Sequence, residues 1–459
     1  MMKQFFLMVL FVTLCTSCRQ LATSRPMTPA PIMVPQEPGS TATVSETPVL
    51  TPTDAIGTEP SPIATDVARI TAVPLDAPDA NLIPCGLLLT FPSPELPENR
   101  SSLDIEVPEG LVPEAALPAL NRLIEAPDTV GLAAFQIGRE DDGVYFNADQ
   151  PMPLASVVKI VNLVAYANAV AEGELDPSEW VPLADLEQSY LPGMDLGAHR
   201  RAIEELRGKG LIARDPPATP LEEVPWMMIR HSSNAAADYL HLRLGQERIE
   251  KTALDLGLAN QTAICPWIGQ FLSISNHIRV GSDSAAVQSF IEDPEMYGQE
   301  VMRLTEAFTK DASFREAESN PRIQRRSMDV QKLFSENLNG QGSAREYALL
   351  MAKILKNQLN TSYTNILVRR VLEWPMEYIE NQELFSTVGF KDGSLPGVLT
   401  TLYYAHRLED GSQVIVALFY RDLPTQIYRK WRGTLPHDEL ARWLLSEPDA
   451  IPLLRSLLE

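Results

Sequence analysis

A serine and a lysine three positions apart lie inside a strongly apolar stretch of the chain. Ser156 and Lys159 are surrounded by Val, Ile, Leu and Ala residues over positions 155–167. Residues three apart on a helix share a face, so the lysine amine can reach the serine hydroxyl. Burial favours the neutral amine, which can accept the hydroxyl proton. The pair therefore predicts a nucleophilic serine with a lysine as its base, although one Ser-x-x-Lys match alone is expected by chance.

A second polar group, Ser232-Ser233-Asn234, follows an apolar segment and precedes three alanines. A hydroxyl and an amide two positions apart in a turn point the same way. Ser232 can then relay a proton, and Asn234 can hold a substrate carbonyl. The same Ser-x-Asn pattern recurs at 335–337, without the apolar segment and the small residues. The surroundings of the first match make it the better candidate.

A third group, Lys391-Asp392-Gly393, lies in a predicted strand over residues 387–394. Lys391 would supply positive potential, and Gly393 would let a substrate backbone approach the strand closely. The backbone N–H of the next residue, Ser394, would form an oxyanion hole together with the N–H of Ser156.

The elements that must position these groups follow from the hydrophobic pattern. Residues 130–137 and 143–147 predict a hairpin. From residue 155 the apolar positions cover most of a helix circumference, which predicts a helix buried on nearly all sides. A capping box from Ser343 to Glu346 predicts the start of another helix, which runs through residue 355.

Strands return near the end of the chain, at 384–390, 399–407 and 414–420, and a final helix is predicted at 437–445. Strands at both ends with helices between them indicate one antiparallel sheet shared by early and late strands. The predicted fold class is therefore α/β: this sheet, flanked by helices, with an all-helical subdomain.

In their order along the chain, the three groups resemble the motifs of the class A β-lactamase and penicillin-binding protein group. The resemblance covers roughly residues 125–425 and implies a β-lactamase/transpeptidase-like fold. It implies Ser156 as the acylated nucleophile, Lys159 as its base, Ser232 as the proton relay to the leaving nitrogen and Lys391 as the electrostatic anchor. It also implies that Asn234, Asp392, Gly393 and Ser394 bind the substrate.

The resemblance implies a serine hydrolase that is acylated by β-lactams or by related amides or esters. Two alternatives remain open: a D,D-peptidase or esterase of the cell envelope, and a binding or structural lipoprotein that retains the fold. We expect a small-molecule or peptidoglycan-related substrate. No metal or organic cofactor is expected, because no zinc, dinucleotide or P-loop pattern occurs. With 38 Lys and Arg against 60 Asp and Glu, the net charge of −22 argues against nucleic acid as a partner.

Two substitutions depart from the family pattern. Ser233 stands where the family has an Asp that is mainly structural. Asp392 stands where the family has a Thr or Ser whose hydroxyl binds the substrate carboxylate. A carboxylate at this position is expected to repel another carboxylate. Arg407, on the following strand, is the candidate to compensate.

A third departure concerns the clearance of an acyl-enzyme. Class A β-lactamases carry a Glu that activates the deacylating water, but the corresponding residues 264–272 contain no acid. Gln270 is expected to orient a water without deprotonating it, so turnover of β-lactams is expected to be slow. The stretch from Ser232 to Lys391 is also long for the family. The surplus is expected at about 270–342, as an inserted, solvated helical excursion.

The N-terminus is typical of an exported protein. An apolar run at 5–14 is about half as long as a membrane-spanning helix, and Cys18 follows small residues. This resembles a bacterial lipoprotein signal over residues 1–18, with a lipid anchor at Cys18; ordinary secretion is the alternative. Residues 19–81, with 11 Pro and 10 Thr, predict a disordered linker before the domain at 82–459.

Two cysteines, Cys85 and Cys265, remain beyond the signal region. In an oxidising compartment two cysteines can pair. Sequence alone leaves two interpretations open, a disulfide and a pair of buried free thiols.

If the lipoprotein interpretation is correct, the mature chain begins at Cys18 and carries acyl chains. We expect it to partition into detergent, and Cys18→Ala to leave the protein soluble or unprocessed. Mass spectrometry of the mature N-terminus measures this directly. A mature chain that still begins at Met1 would contradict both lipidation and secretion.

Overall fold

The computed structural model describes residues 85–87, 102–320 and 326–459. The predicted signal region 1–18 and linker 19–81 lie outside the described residues and stay predictions. Within the described ranges, no helix combines the length and the apolar character needed to cross a bilayer.

A five-stranded antiparallel sheet forms the centre of the domain. In chain order, the strands of the described residues, including those outside this sheet, are β1 (Val130–Gln136), β2 (Val144–Phe146), β3 (Pro151–Pro153), β4 (Trp180–Pro182), β5 (Ala218–Pro220), β6 (Gln341–Ser343), β7 (Phe385–Leu395), β8 (Val398–Arg407) and β9 (Gln413–Tyr420). The order in the central sheet is β2-β1-β9-β8-β7, and β3 pairs with β6 and β4 with β5. Because Val130 lies opposite Tyr420, early and late strands share one sheet, as the sequence predicts.

Helices surround this sheet. They are α1 (Leu117–Glu125), α2 (Lys159–Ala171), α3 (Leu183–Glu187), α4 (Ala198–Gly208), α5 (Glu223–Arg230), α6 (Asn234–Leu244), α7 (Gln246–Leu256), α8 (Trp267–Ile274), α9 (Asp283–Glu292), α10 (Pro294–Lys310), α11 (Ala312–Glu318), α12 (Met328–Asn337), α13 (Ala344–Leu355), α14 (Ser362–Leu372), α15 (Ile379–Leu384), α16 (Thr425–Thr434), α17 (Pro436–Ser446) and α18 (Ala450–Leu458). Among the described residues, 3₁₀ turns lie at Pro127–Thr129, Glu140–Asp142, Ala155–Val158 and Trp374–Glu377.

The sheet is covered on both faces, which explains its sequence. Helices α13 and α17 both pack against β8 and β9. Strand β9 is accordingly buried throughout except at Gln413. A strand with two covered faces reads as a continuous apolar run instead of an alternating one, and residues 414–420 form such a run.

Most elements predicted from the pattern are confirmed. The first hairpin pairs Leu132 with Phe146. Ser343 caps α13 by accepting the backbone N–H of Glu346 at 3.2 Å. The predicted final helix is α17, and it is flanked by α16 and α18, which the pattern did not indicate.

The stretch 270–342, which the sequence predicts to be a solvated excursion, has a buried face as well as an exposed one. Its longest helix, α10, buries Val301, Leu304 and Phe308 completely and packs along α8. A Cβ placed on Gly269 of α8 would lie 2.1 Å from the Val301 carbonyl oxygen. The two helices therefore meet backbone to backbone, and the apolar face that they share is part of the core. That the stretch is an insertion stays a prediction.

A disulfide joins Cys85 to Cys265, with their Cα atoms 5.0 Å apart. The N–H of Gly86 also donates to the carbonyl of Ala263 at 3.1 Å. Gly86 has a φ of +90°, a conformation in which other residues are strained. These contacts attach residues 85–87 to the loop that leads into α8. Of the two interpretations of Cys85 and Cys265, the structure has the disulfide and not the pair of free thiols.

The close approach of α8 and α10 gives a test of this packing. Gly269→Ala should lower the free energy of unfolding by about 1–3 kcal/mol, the usual cost of overpacking, because its methyl group has no room beside Val301. Gly433→Ala in α16 is the matched control, since no atom lies within 4 Å of its Cβ position. It should be neutral or stabilising by up to about 1 kcal/mol. Equal midpoints in urea for Gly269→Ala and the wild type would contradict the backbone contact.

Candidate active site

Ser156 lies in the 3₁₀ turn Ala155–Val158, directly before α2. The preceding residue, Ala155, has a left-handed φ of +47°, which costs conformational energy in a residue other than glycine. Distant residues stabilise this turn: Asn339 Oδ1 accepts the Ala155 N–H at 2.9 Å, and Thr400 Oγ1 donates to the Leu154 carbonyl at 2.9 Å. Such strain commonly accompanies functional sites.

The Lys159 side chain has no exposed surface and lies among four acceptors. Its Nζ is 2.7 Å from the Ser232 carbonyl oxygen and 2.6 Å from Asn234 Oδ1. It is also 3.1 Å from Ser156 Oγ and 3.3 Å from Ser232 Oγ. A neutral amine has two N–H donors and one lone pair. Because the carbonyl and amide oxygens only accept, they take the two donors, and the lone pair is left for the hydroxyl groups.

The surroundings of Lys159 favour this neutral form. Burial lowers the pKa of Lys159 well below its usual value, and the ammonium of Lys391 lowers it further. The carboxylates of Asp195, Asp238 and Asp392 act in the opposite direction without cancelling that effect. A neutral amine beside a serine hydroxyl can accept its proton.

Ser232 lies between α5 and α6 and has a φ of +63°. Its hydroxyl is 3.3 Å from Lys159 Nζ and 3.2 Å from Lys391 Nζ. The next residue, Ser233, caps α6 by accepting the N–H of Ala236 at 3.1 Å. Its hydroxyl also lies 2.9 Å from Nδ1 of the buried His199. Ser233 therefore fixes the turn that presents Ser232.

Lys391 on β7 is completely buried, and its Nζ has three acceptors. They are Ser232 Oγ at 3.2 Å, the Asp392 carbonyl at 2.7 Å and Asp392 Oδ1 at 2.9 Å. Desolvation opposes ionisation of Asp392, but the ammonium of Lys391 outweighs it and lowers the pKa of Asp392. The two side chains therefore form an ion pair at the site.

Arg407 does not compensate for Asp392. In the register of β7 and β8, Arg407 lies opposite Phe385, whereas Asp392 lies opposite Thr401. At about 3.3 Å per residue, six residues of strand separate the two positions by about 20 Å. The guanidinium pairs with Asp410 at 3.0 Å, so it belongs to the turn between β8 and β9.

Gly393 lies against the start of the serine-bearing turn. A Cβ at Gly393 would be 2.7 Å from the backbone nitrogen of Ser156, so this approach requires glycine. The next residue, Ser394, has its hydroxyl 3.1 Å from that of Tyr428. Its N–H stays the predicted second donor of an oxyanion hole.

Trp267, the first residue of α8, forms the wall beside Lys159. The centroid of its ring is 5.0 Å from Lys159 Nζ. Asp238 holds this helix end, since its two carboxylate oxygens accept the N–H groups of Trp267 and Ile268 at 2.7 Å. Burial raises the pKa of Asp238 to about 7, although both hydrogen bonds lower it. An aromatic ring thus lines the site within residues 264–272, which contain no carboxylate.

Gln270 is buried, and both ends of its side-chain amide have protein partners. Its Nε2 donates to the Cys265 carbonyl at 2.9 Å, and its Oε1 accepts from Asn339 Nδ2 at 3.3 Å. Asn339 in turn holds Ala155. A chain of contacts therefore runs from the disulfide-bonded Cys265 to the turn that carries Ser156.

The fold thus links five of the predicted residues. Lys159 Nζ lies within hydrogen-bonding distance of Ser156, Ser232 and Asn234, and Lys391 Nζ lies within that distance of Ser232. Three further residues of the site, Trp267, Asn339 and His199, lie outside the sequence motifs. Pro266 before Trp267 is a helix-start signal, but nothing in the sequence indicates that the ring reaches Lys159. In the described ranges, no three His, Cys, Asp or Glu side chains are grouped to hold a metal ion.

Comparison with known proteins gives one family match. A family model described as "Beta-lactamase enzyme family" matches residues 116–376. The match includes Ser156, Lys159 and Ser232, and it ends before Lys391. No curated protein matches the sequence significantly.

Solved structures show distant similarity. A beta-lactamase from Sphaerobacter thermophilus is 17% identical, with a TM-score of 0.42, and the match covers 68% of this chain and 88% of the other. The protein called PBP-A is also 17% identical, with a TM-score of 0.40 and coverage of 75% and 100%. A beta-lactamase from Chitinophaga pinensis is 16% identical, with a TM-score of 0.38 and coverage of 72% and 94%.

The state of Lys159 can be read from the pH dependence of serine labelling. The rate of labelling by a fluorophosphonate should rise with pH as the amine loses its proton. The inflection should lie well below 10.5, because the pKa of Lys159 is lowered from that value. Lys159→Ala should remove the inflection and slow labelling about a hundredfold, the usual effect of losing a general base. The exposed Lys430→Ala is the control and should behave like the wild type. A wild-type rate that does not change with pH would contradict the role of Lys159.

Proposed function

The chain belongs to the beta-lactamase enzyme family, and on this basis we propose that it is a β-lactamase-like serine hydrolase with Ser156 as its nucleophile. Its substrates are β-lactams or related amides and esters. The observation that carries the proposal is the contact between Ser156 Oγ and the fully buried Lys159 Nζ at 3.1 Å.

In the proposed acylation step, Ser156 Oγ attacks the substrate carbonyl carbon and Lys159 accepts the serine proton. Negative charge develops on the carbonyl oxygen, which the N–H groups of Ser156 and Ser394 stabilise. The bond to the leaving nitrogen or oxygen then breaks. Ser232 delivers its proton to the leaving atom and receives from Lys159 the proton that was taken from Ser156, so that both side chains end neutral. The position of Ser232, with its hydroxyl near both Lys159 Nζ and Lys391 Nζ, supports this relay.

The acyl-enzyme is expected to persist. Deacylation needs an activated water, and Trp267 lines the side of Lys159 where residues 264–272 offer no carboxylate. Both oxygens of Asp238 and both ends of the Gln270 amide already have protein partners. The chemistry of this wall therefore supports slow hydrolysis of the acyl-enzyme.

A second candidate function, a D,D-peptidase or esterase of the cell envelope, is supported by the same wall. Such an enzyme clears its acyl group without a dedicated glutamate. We also propose that the domain is exported and attached to the membrane through Cys18, with residues 19–81 as its tether. The Pro- and Thr-rich composition of that segment supports a spacer.

Incubation with penicillin G followed by digestion and mass spectrometry tests the proposed function. The peptide that contains Ser156 should gain the mass of the antibiotic, and Ser156→Ala should give no adduct because it has no nucleophilic hydroxyl. The adduct should persist for minutes or longer, and a chromogenic cephalosporin should give a burst followed by a slow phase. Ser335→Ala, from the other Ser-x-Asn match, is the control and should label like the wild type.

Three results would contradict parts of this proposal. Equal labelling of Ser156→Ala and the wild type would exclude Ser156 as the nucleophile. Fast cephalosporin hydrolysis without a burst would show that another group activates the deacylating water. Failure of a folded wild-type protein to react with either penicillin or a fluorophosphonate would favour a non-catalytic lipoprotein that retains the fold.

A further inference from the structure

We propose that Asp392 selects substrates whose leaving group carries no carboxylate. This inference rests on the proposed function, because it concerns which amide or ester acylates Ser156. It assigns the site to neutral leaving groups and gives Asp392 the role of excluding negatively charged ones.

The leaving group must lie beside Lys391. Ser232 is the proposed proton donor to the leaving atom, and its hydroxyl is 3.2 Å from Lys391 Nζ. A substituent on the leaving group is therefore brought toward this ammonium. If the ammonium were free, it would attract a carboxylate there.

The ammonium of Lys391 has no donor left for such a carboxylate. A lysine ammonium carries three N–H donors. The three acceptors within hydrogen-bonding distance all belong to the protein: Ser232 Oγ, the carbonyl oxygen of Asp392 and Oδ1 of Asp392. Lys391 also has no exposed surface, so its Nζ cannot turn outward toward a substrate.

The charge of the pair leads to the same conclusion. The carboxylate of Asp392 lies 2.9 Å from Lys391 Nζ and is 55% exposed, whereas the lysine side chain is 0% exposed. An approaching substrate therefore meets the negative partner of the ion pair first. Arg407, which could have supplied another positive charge, is paired with Asp410 at the other end of β8.

The test compares two substrates that differ by one charge. Penicillin G and its methyl ester share the same β-lactam ring, and the rate of acylation of Ser156 by each is measured by mass spectrometry. We expect the wild type to react with the ester at least tenfold faster than with the free acid. A second pair, phenyl acetate and 3-carboxyphenyl acetate, measures the same preference on esters. The leaving phenol is neutral in the first ester and carries a carboxylate in the second.

Two substitutions separate charge from hydrogen bonding. Asp392→Asn removes the charge but keeps an oxygen that can accept from Lys391, and it should raise the rate with the free acid at least tenfold. Asp392→Ala also releases one N–H donor and should raise that rate further. In both variants the ratio of the rate with the neutral member to the rate with the charged member of each substrate pair should fall at least tenfold from its wild-type value. Glu409→Gln is the matched control: it removes a negative charge in the exposed β8–β9 turn and should change neither rate.

The outcomes distinguish this inference from the proposed function. A wild type that is acylated faster by the charged member of both pairs would overturn the inference and leave Ser156 as the nucleophile. An unchanged preference in Asp392→Asn and Asp392→Ala would overturn it as well. Absence of any acyl transfer to Ser156, from either pair of substrates, would overturn the proposed function and this inference with it.

Discussion

A lysine side chain without any exposed surface has to be neutral or fully compensated, and the arrangement around Lys159 depends on this requirement. Removing an ammonium from water is costly unless the group loses its proton or gains partners. Here the Ser232 carbonyl and the Asn234 amide orient the amine, and the turn at Ala155 brings the Ser156 hydroxyl to it. Ala155 and Ser232 both have positive φ values, which cost conformational energy. This cost accompanies the approach of the Ser156 turn and the Ser232–Asn234 turn to the nitrogen of Lys159.

The same requirement separates the two lysines of the site. Lys159 faces only uncharged oxygens at hydrogen-bonding distance, whereas Lys391 has a carboxylate at 2.9 Å. Two equally buried side chains of one residue type therefore have different electrostatic surroundings. One is suited to accept a proton, and the other is already neutralised by its neighbour. This difference in charge between the surroundings of the two lysines comes from one residue, Asp392.

Local patterns predicted the parts of the fold that depend on nearby residues. The first hairpin, the Ser343 cap and the apolar run of β9 each follow from short-range periodicity or capping. The three motifs also led to the five residues that meet at the site. Contacts between distant segments could not be read in this way. The packing of α8 on α10, the Trp267 ring beside Lys159 and the Asn339 bond to Ala155 join positions whose proximity only the folded chain defines. The expectation that Arg407 compensates for Asp392 was wrong for the same reason, because strand register decides which end of a sheet a residue occupies.

The pairing of β1 with β9 has a consequence for how the chain is made. Strand β1 ends at residue 136 and β9 begins at residue 413, so the ribosome must complete most of the chain before the first strand finds its central neighbour. At roughly 5–20 residues per second, this delay lasts some tens of seconds. Sheets built from such distant partners also form slowly. The nascent polypeptide therefore stays without its complete central sheet until synthesis is nearly finished.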